Sequence, residues 1–444
     1  MRYTPHTQAD IDAMLSKLGI SDISELFGGI ELPKDSPKRG LDISGLSAQE
    51  TERSLKRLAA KNKVYDTVFL GAGAYKHYIP PVVRHIAANP RFVTAYTPYQ
   101  PEMSQGILQA IFEYQSCITR LTGLDASNAS MYDGATAAAE AVLMCAGGGG
   151  DVLVSEGVNP DVIAVIETYL SGVGRTVTKI PLGADGLTDI EFVKARLSTA
   201  ACCLISQPNY LGNIEKAKTL GGLLNGAGVG YIMHVYPMAL GVLASPSECG
   251  ADFATGEGQP LGMPLGFGGP YLGFIAAREK YIRKMTGRIV GATTDKDGKI
   301  VYVLTLQARE QHIRREKASS SICSNEALCA LTAAVYLSAI GKRGLAEVGE
   351  ACLSKAHYLA DGLQKAGLKL KYKDTEFFNE FVTVSDPADA ELSADRILRR
   401  LRRRGILGGL RLSKTELLWC ATELNTKDEI DGACRVISGR GGRG

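Results

Sequence analysis

Between Asp151 and Val235 the chain alternates short apolar runs with longer amphipathic ones, and no other stretch restricts its fold so strongly. The pattern predicts strands at 151–155, 175–181, 201–206 and 229–235, with helices at 159–171, 188–197 and 215–227 between them. Such βα alternation builds a doubly wound, mainly parallel sheet with helices on both faces, and ligands of these sheets gather at the carboxyl ends of the strands. Further strands are expected at 251–255 and 271–276, and helices at 105–121, 135–146 and 325–339. The glycines Gly147–Gly150 follow a helix and precede a strand, the reverse of the order in a phosphate cradle, so they read as a turn.

This organisation implies a polar helical arm over 1–60, with short amphipathic pieces at 10–19 and 22–27. A large α/β domain over 61–320, a smaller C-terminal helical and α+β domain over 321–438 and a disordered glycine-arginine tail over 439–444 follow. A formal charge of +3 on 444 residues argues against nucleic acid or an anionic membrane surface as partner. The ten cysteines show no zinc-ligand spacing and are read as reduced. The first residues carry acidic side chains and no apolar core, so a cytoplasmic setting is expected. The uncharged stretch Gly258–Ala277 approaches the length of a membrane span, but six glycines and three prolines make it a loop region.

Serine-hydrolase, P-loop and zincin motifs are all missing, and what remains is a doubly wound sheet running into the glycine-rich loop Gly262–Pro270. That arrangement resembles the fold type I (aspartate aminotransferase-like) pyridoxal-phosphate transferases. The resemblance implies a lysine to hold the cofactor, a strand-end aspartate for its pyridine nitrogen and amide donors at a helix start for its phosphate. Here Tyr236 stands at the aspartate position and Gln259 at the lysine position, and no lysine occurs between Lys218 and Lys280. No covalent link to the cofactor can form in this stretch.

Longer motifs narrow the resemblance. Phe69-Leu-Gly-Ala-Gly73, Tyr78-Ile-Pro-Pro81, Tyr96-Thr-Pro-Tyr-Gln-Pro-Glu102, Ser104-Gln-Gly106 and Met131-Tyr-Asp-Gly-Ala-Thr136 resemble glycine decarboxylase, the P-protein of the glycine cleavage system. So do Gly266-Phe-Gly-Gly-Pro-Tyr271, the run from Thr305 to Lys317, and Cys323-Ser-Asn325. In many bacteria that family is split into two chains, and this sequence is similar to the first, or alpha, chain. The resemblance implies that a beta chain holds pyridoxal phosphate on its own lysine and that the two act as an alpha-two beta-two assembly. Together they would decarboxylate glycine and pass the aminomethyl group to the lipoyl arm of H-protein. The alternative is a non-catalytic subunit with the same fold that only stabilises its partner.

Individual residues divide between structural and functional readings. Tyr96 and Tyr99, flanked by prolines, are either a rigid turn with filler rings or groups that reach the partner's cofactor or glycine. Tyr132–Thr136 corresponds to the phosphate corner of cofactor-binding relatives but reads first as a helix cap. Arg309, His312, Arg314, Arg315 and Lys317 form a basic cluster in a strand-to-loop transition, and interface or active-site use is expected of it, with Arg315 the foremost candidate. His234 is expected to be a satisfied core histidine, and Cys323 and Cys329 core-lining helix residues. The arginines between Arg399 and Arg404 read as a solvated face.

Overall fold

The computed structural model describes residues 6–30, 45–93, 98, 100–309, 311–318, 320, 322 and 326–439. The chain divides into two compact units, Met1–Val64 and Tyr65–Gly444. In the first, helix α1 (Gln8–Leu18) starts at a reciprocal cap between Thr7 and Asp10 and stops at Gly19, whose φ of 73° no β-carbon favours. A 3-10 turn, Ile23–Phe27, and α2 (Ala48–Ala59) follow, each opened by the same kind of cap, Asp22 with Glu25 and Ser47 with Glu50.

The second unit begins with β1 (Thr67–Val68), α3 (Pro81–Ala87), α4 (Pro90–Val93) and α5 (Pro101–Thr122), the last interrupted at Ser104. Then come β2 (Ala126–Ser127), α6 (Gly134–Ala146), β3 (Asp151–Ser155), α7 (Pro160–Ser171), β4 (Val177–Ile180), α8 (Ile190–Lys194) and β5 (Ala200–Gln207). α9 (Ala217–Gly226), β6 (Gly230–Val235), β7 (Phe253–Glu257) and β8 (Gly273–Ala277) complete one seven-stranded sheet, ordered β2-β8-β7-β6-β5-β3-β4. Strands β4, β3, β5, β6 and β7 run parallel, while β8 and β2 pair antiparallel at one edge. Buried side chains cover both faces of this sheet: Leu153, Cys203, Ile205 and Met233 on one, and Val152, Val154, Cys202 and Ile232 on the other. The four-glycine turn stays a turn, with Gly149 and Gly150 at positive φ and the Arg175 guanidinium donating to the carbonyls of Ala146 and Gly150.

A hairpin, β9 (Ile289–Thr294) with β10 (Ile300–Thr305), leads to α10 (Gln311–Arg314) and then to α11 (Ala327–Lys365). The sequence predicts a helix ending at 339. The chain turns through Gly341 at φ 62° and resumes helix to Lys365, because only glycine takes that conformation without strain. By length and composition alone α11 could cross a membrane. Its buried residues, among them Leu331, Tyr336, Leu345 and Leu359, instead pack against α3, α5 and the C-terminal α13 (Lys427–Ile437).

The remaining strands β11 (Lys369–Leu370), β12 (Glu380–Val384), β14 (Leu410–Arg411) and β15 (Glu416–Cys420) form an antiparallel sheet in the order β11-β12-β15-β14. Helix α12 (Ala394–Arg403) buries Ile397, Leu398 and Leu401, and the short β13 (Ile406–Leu407) pairs with β1. This last pairing carries Phe69 onto Trp419, with ring centroids 6.5 Å apart, and draws the segment after β1 across the C-terminal sheet.

Candidate functional site

A cavity of about 250 Å³ opens at the carboxyl ends of β5, β6 and β7, between the amino ends of α6 and α7. A larger groove beside Ile79–Pro81 and Gly262–Pro264 is mainly apolar and gathers no comparable set of polar groups. Asp133 caps α6 by accepting the Thr136 amide at 2.7 Å, and Asn159 caps α7 by accepting that of Asp161 at 2.9 Å. The expected cap at Tyr132–Thr136 is therefore present. It does not stand alone.

Glu257, at the end of β7, places its carboxylate on the same helix terminus. Its oxygens accept the amides of Gly134 at 3.0 Å, Leu272 at 3.0 Å and Gln259 at 2.9 Å. A side chain at Gly134 would put a β-carbon 2.7 Å from the Glu257 nitrogen, so glycine is what allows strand and helix to meet. Burial raises the Glu257 pKa, the three amides hold it down, and the neighbouring Asp133 charge pushes it up again. At this helix start the Gly134 amide thus already faces the Glu257 carboxyl and the Thr136 amide faces that of Asp133. Among the described residues lining this cavity there is no lysine, and with Tyr236 at the position where an aspartate is expected they do not fit pyridoxal phosphate.

Gln259 and Tyr236 both have structural work. The Gln259 carboxamide donates to the Met263 carbonyl at 2.7 Å and braces the glycine-rich loop. Tyr236 lies 4.3 Å, ring to ring, from Tyr75, and its hydroxyl meets His77 Nε2. His77 Nδ1 in turn contacts Glu423 at 2.7 Å. The Tyr75 hydroxyl donates at 2.6 Å to Glu380, which also accepts the Ala72 amide at 2.6 Å, and burial pushes the Glu380 pKa up to about 7. Two tyrosines of the cavity are therefore each backed by a carboxylate from the C-terminal portion. His77, Cys352 and Glu423 bring possible metal-ligand atoms within 4.8 Å of one another. They satisfy each other by hydrogen bonds, and the Lys355 ammonium on the Glu423 carbonyl adds a cation beside them, which disfavours a metal ion there.

His234 is satisfied, with Nδ1 3.0 Å from Thr255 Oγ1, but it lines the cavity and is only partly buried, because it sits at the strand end where the sheet opens. Desolvation lowers its pKa to about 4, leaving a neutral imidazole. Tyr96, Tyr99 and Cys323 lie outside the described residues, as do residues 440–444 of the expected tail, while Cys329 is half-buried against the core. The basic cluster separates into two parts. Arg309 turns inward and donates to the carbonyls of Leu306 and Gly287, each at 3.1 Å, and to that of Met285. His312, Arg314, Arg315 and Lys317 are exposed on α10 and the turn after it.

Sequence reasoning missed Glu257, Glu380, His77 and Glu423. For Glu257 there was a signal: a carboxylate flanked by Gly256 and Gly258 just before the lysine position. For the others there was none, since their partners are up to 346 positions away in the chain.

A family model described as glycine cleavage system P-protein matches residues 1–437. The chain belongs to the P-protein family. The probable glycine dehydrogenase (decarboxylating) subunit 1 of Desulfitobacterium hafniense is 48% identical over 456 residues, covering 99% of both chains. Among solved structures, glycine decarboxylase (P-protein) of the glycine cleavage system in an inhibitor-bound form superposes with a TM-score of 0.84 at 40% identity, covering 99% of this chain and 100% of that one. Lactobacillus brevis glutamate decarboxylase, at 12% identity and a TM-score of 0.68 over 91% of this chain and 94% of its own, shows the fold alone. This P-protein chain thus has the fold type I architecture that its βα alternation and glycine-rich loop suggest.

Proposed function

We propose that this chain is the cofactor-free half of a two-chain glycine decarboxylase, which decarboxylates glycine and passes the aminomethyl group to lipoylated H-protein. The observation that carries the division of labour is the Glu257 carboxylate on the Gly134 amide, which sets an anion where the cofactor's phosphate would be held. Pyridoxal phosphate then belongs on a lysine of the second chain, glycine dehydrogenase subunit 2, where it supplies the electron sink for decarboxylation. Relatives bearing the name subunit 1 support a partner of this kind. An alpha-two beta-two assembly and a cytoplasmic setting complete the proposal.

This chain's own contribution lies in groups that reach the second chain's site. Arg315 presents a guanidinium at the protein surface, suited to the glycine carboxylate or to an acidic patch beside it. Tyr96 and Tyr99 are proposed to act with it on the strength of the family motif they stand in. The test is co-expression with the second chain and a glycine-dependent bicarbonate exchange assay. Exchange is expected from the complex, with no borohydride-fixed absorption band on this chain, and loss of exchange is expected on changing Arg315, Tyr96 or Tyr99. Undiminished exchange in all three variants overturns the shared site, and a fixed band on this chain overturns the division of labour.

A further inference from the structure

Arg309 belongs to the basic run of the sequence, yet its guanidinium is spent on the backbone. Nε donates to the Leu306 carbonyl at 3.1 Å, one terminal nitrogen to Gly287 at 3.1 Å, and the other to Met285. The turn that receives it is fixed to the large sheet. Asn128, wholly buried, donates to the Thr286 carbonyl at 3.0 Å, the Ala129 amide donates to the Arg288 carbonyl at 2.7 Å, and the Thr286 hydroxyl donates to Glu140 at 2.9 Å. Glu140 also takes a hydrogen bond from the Ser320 side chain. The stretch is therefore held at Arg309 to residues 285–287 directly, and at Ser320 to Glu140, which itself holds Thr286.

Between those anchors the described residues from Gln311 to Lys317 are all exposed, and Ile313 keeps 51% of its surface in solvent. Leu306 and Arg315 stand at φ 54° and 53°, the left-handed region that side-chain-bearing residues avoid. Such backbone persists where surrounding contacts over-determine it, and it clusters at functional sites. The three-carbonyl fork of Arg309 is such a contact, three residues after the first strained position and six before the second. A lysine ammonium is a point donor and does not reproduce the planar fork.

We infer that Arg309 is a positioning residue: by clamping Leu306 to the 285–287 turn it sets the angle at which Arg315 is presented to the second chain. The inference rests on the shared-site reading above, because Arg309 acts only through Arg315 and touches neither substrate nor partner.

The test is a double-mutant cycle in the co-expressed two-chain enzyme, with kcat/KM for glycine in the exchange assay as readout and complex assembly followed by sedimentation. R309Q is expected to lower kcat/KM by about tenfold with assembly retained, the size of a coupled polar contact. R315Q is expected to lower it at least as far, and R309Q/R315Q no further than R315Q. A purely structural defect would multiply with the loss from R315Q instead. Should R309Q fail to assemble, R309K provides the same cycle, with a smaller loss that must also vanish in the R315Q background. Multiplicative losses, or wild-type kcat/KM in R309Q beside an impaired R315Q, overturn the inference and leave the shared site standing. Wild-type kcat/KM in R315Q overturns the inference and removes Arg315 from the shared site, which then stands or falls on Tyr96 and Tyr99.

Discussion

Glu257 Oε2 accepts the Gly134 amide at 3.0 Å, so the amino end of α6 meets a carboxylate of its own chain. A helix amino terminus attracts anions through its free amides and its dipole. Here strand β7 delivers that anion, and the glycine at 134 lets the two backbones come close enough for it to bind. One residue both occupies the helix terminus and ties the sheet to the helix.

Glu257→Ala should therefore destabilise the chain while freeing the amino end of α6. Three amides lose their shared acceptor, and a buried donor left without one costs roughly 1–3 kcal/mol, less where water replaces the carboxyl group. A loss of about 2–4 kcal/mol is expected in urea unfolding. A change below about 0.5 kcal/mol, the range of ordinary surface substitutions, would show that the amides find other acceptors.

The sheet was legible because its signal is local. Apolar runs such as Asp151–Ser155 and Gly230–Val235 are bounded by turns, and the edges of six of the seven strands fell within two residues of their expected places, while the two-residue β2 was not expected. The cavity was half legible. Tyr236 and Gln259 could be found by counting along the chain, but what they touch could not: the Tyr236 hydroxyl meets His77 across 159 positions, and His77 meets Glu423 across 346. The second half of α11 was missed because Gly341 looks like a helix stop, and here it is a hinge between two packed segments. Arg309 was grouped with its exposed neighbours because charge alone does not distinguish a guanidinium facing solvent from one that binds carbonyls.

Glu380 should make the chain less stable as pH rises. Its pKa is about 7 in the folded chain against 4.5 when exposed, so folding favours the protonated form. The associated stability is fully present below pH 4.5 and is lost as pH rises to about 7, an effect of about 3 kcal/mol. Glu380→Gln removes this slope, and urea midpoints at pH 5 and pH 8 measure it. An unchanged difference between those midpoints contradicts the assignment.

His234 acts in the opposite direction. Its pKa falls from 6.5 to about 4 on burial, so the unfolded chain binds the proton more readily. Stability from this group is complete above pH 6.5 and is lost as pH falls towards 4, again by about 3 kcal/mol. His234→Gln should leave a chain whose stability no longer falls over that window. The imidazole resonances of the wild type, followed by NMR, should show one histidine still neutral at pH 5, and their absence would sink this reading.

Tyr75 tunes Glu380 and can be separated from it. Its hydroxyl donates to the carboxylate at 2.6 Å and so stabilises the charged form against the cost of burial. Tyr75→Phe removes that donor and keeps the ring against Tyr236, whose centroid is 4.3 Å away. The Glu380 pKa should then rise further, carrying the loss of stability to higher pH, with the pH 8 midpoint falling more than the pH 5 midpoint. In a Glu380→Gln background the same substitution should leave the pH dependence unaltered, because no ionisable partner remains. Urea midpoints of the four chains at both pH values decide it, and an equal pH slope for the wild type and Tyr75→Phe would show that the phenol does not govern this carboxyl.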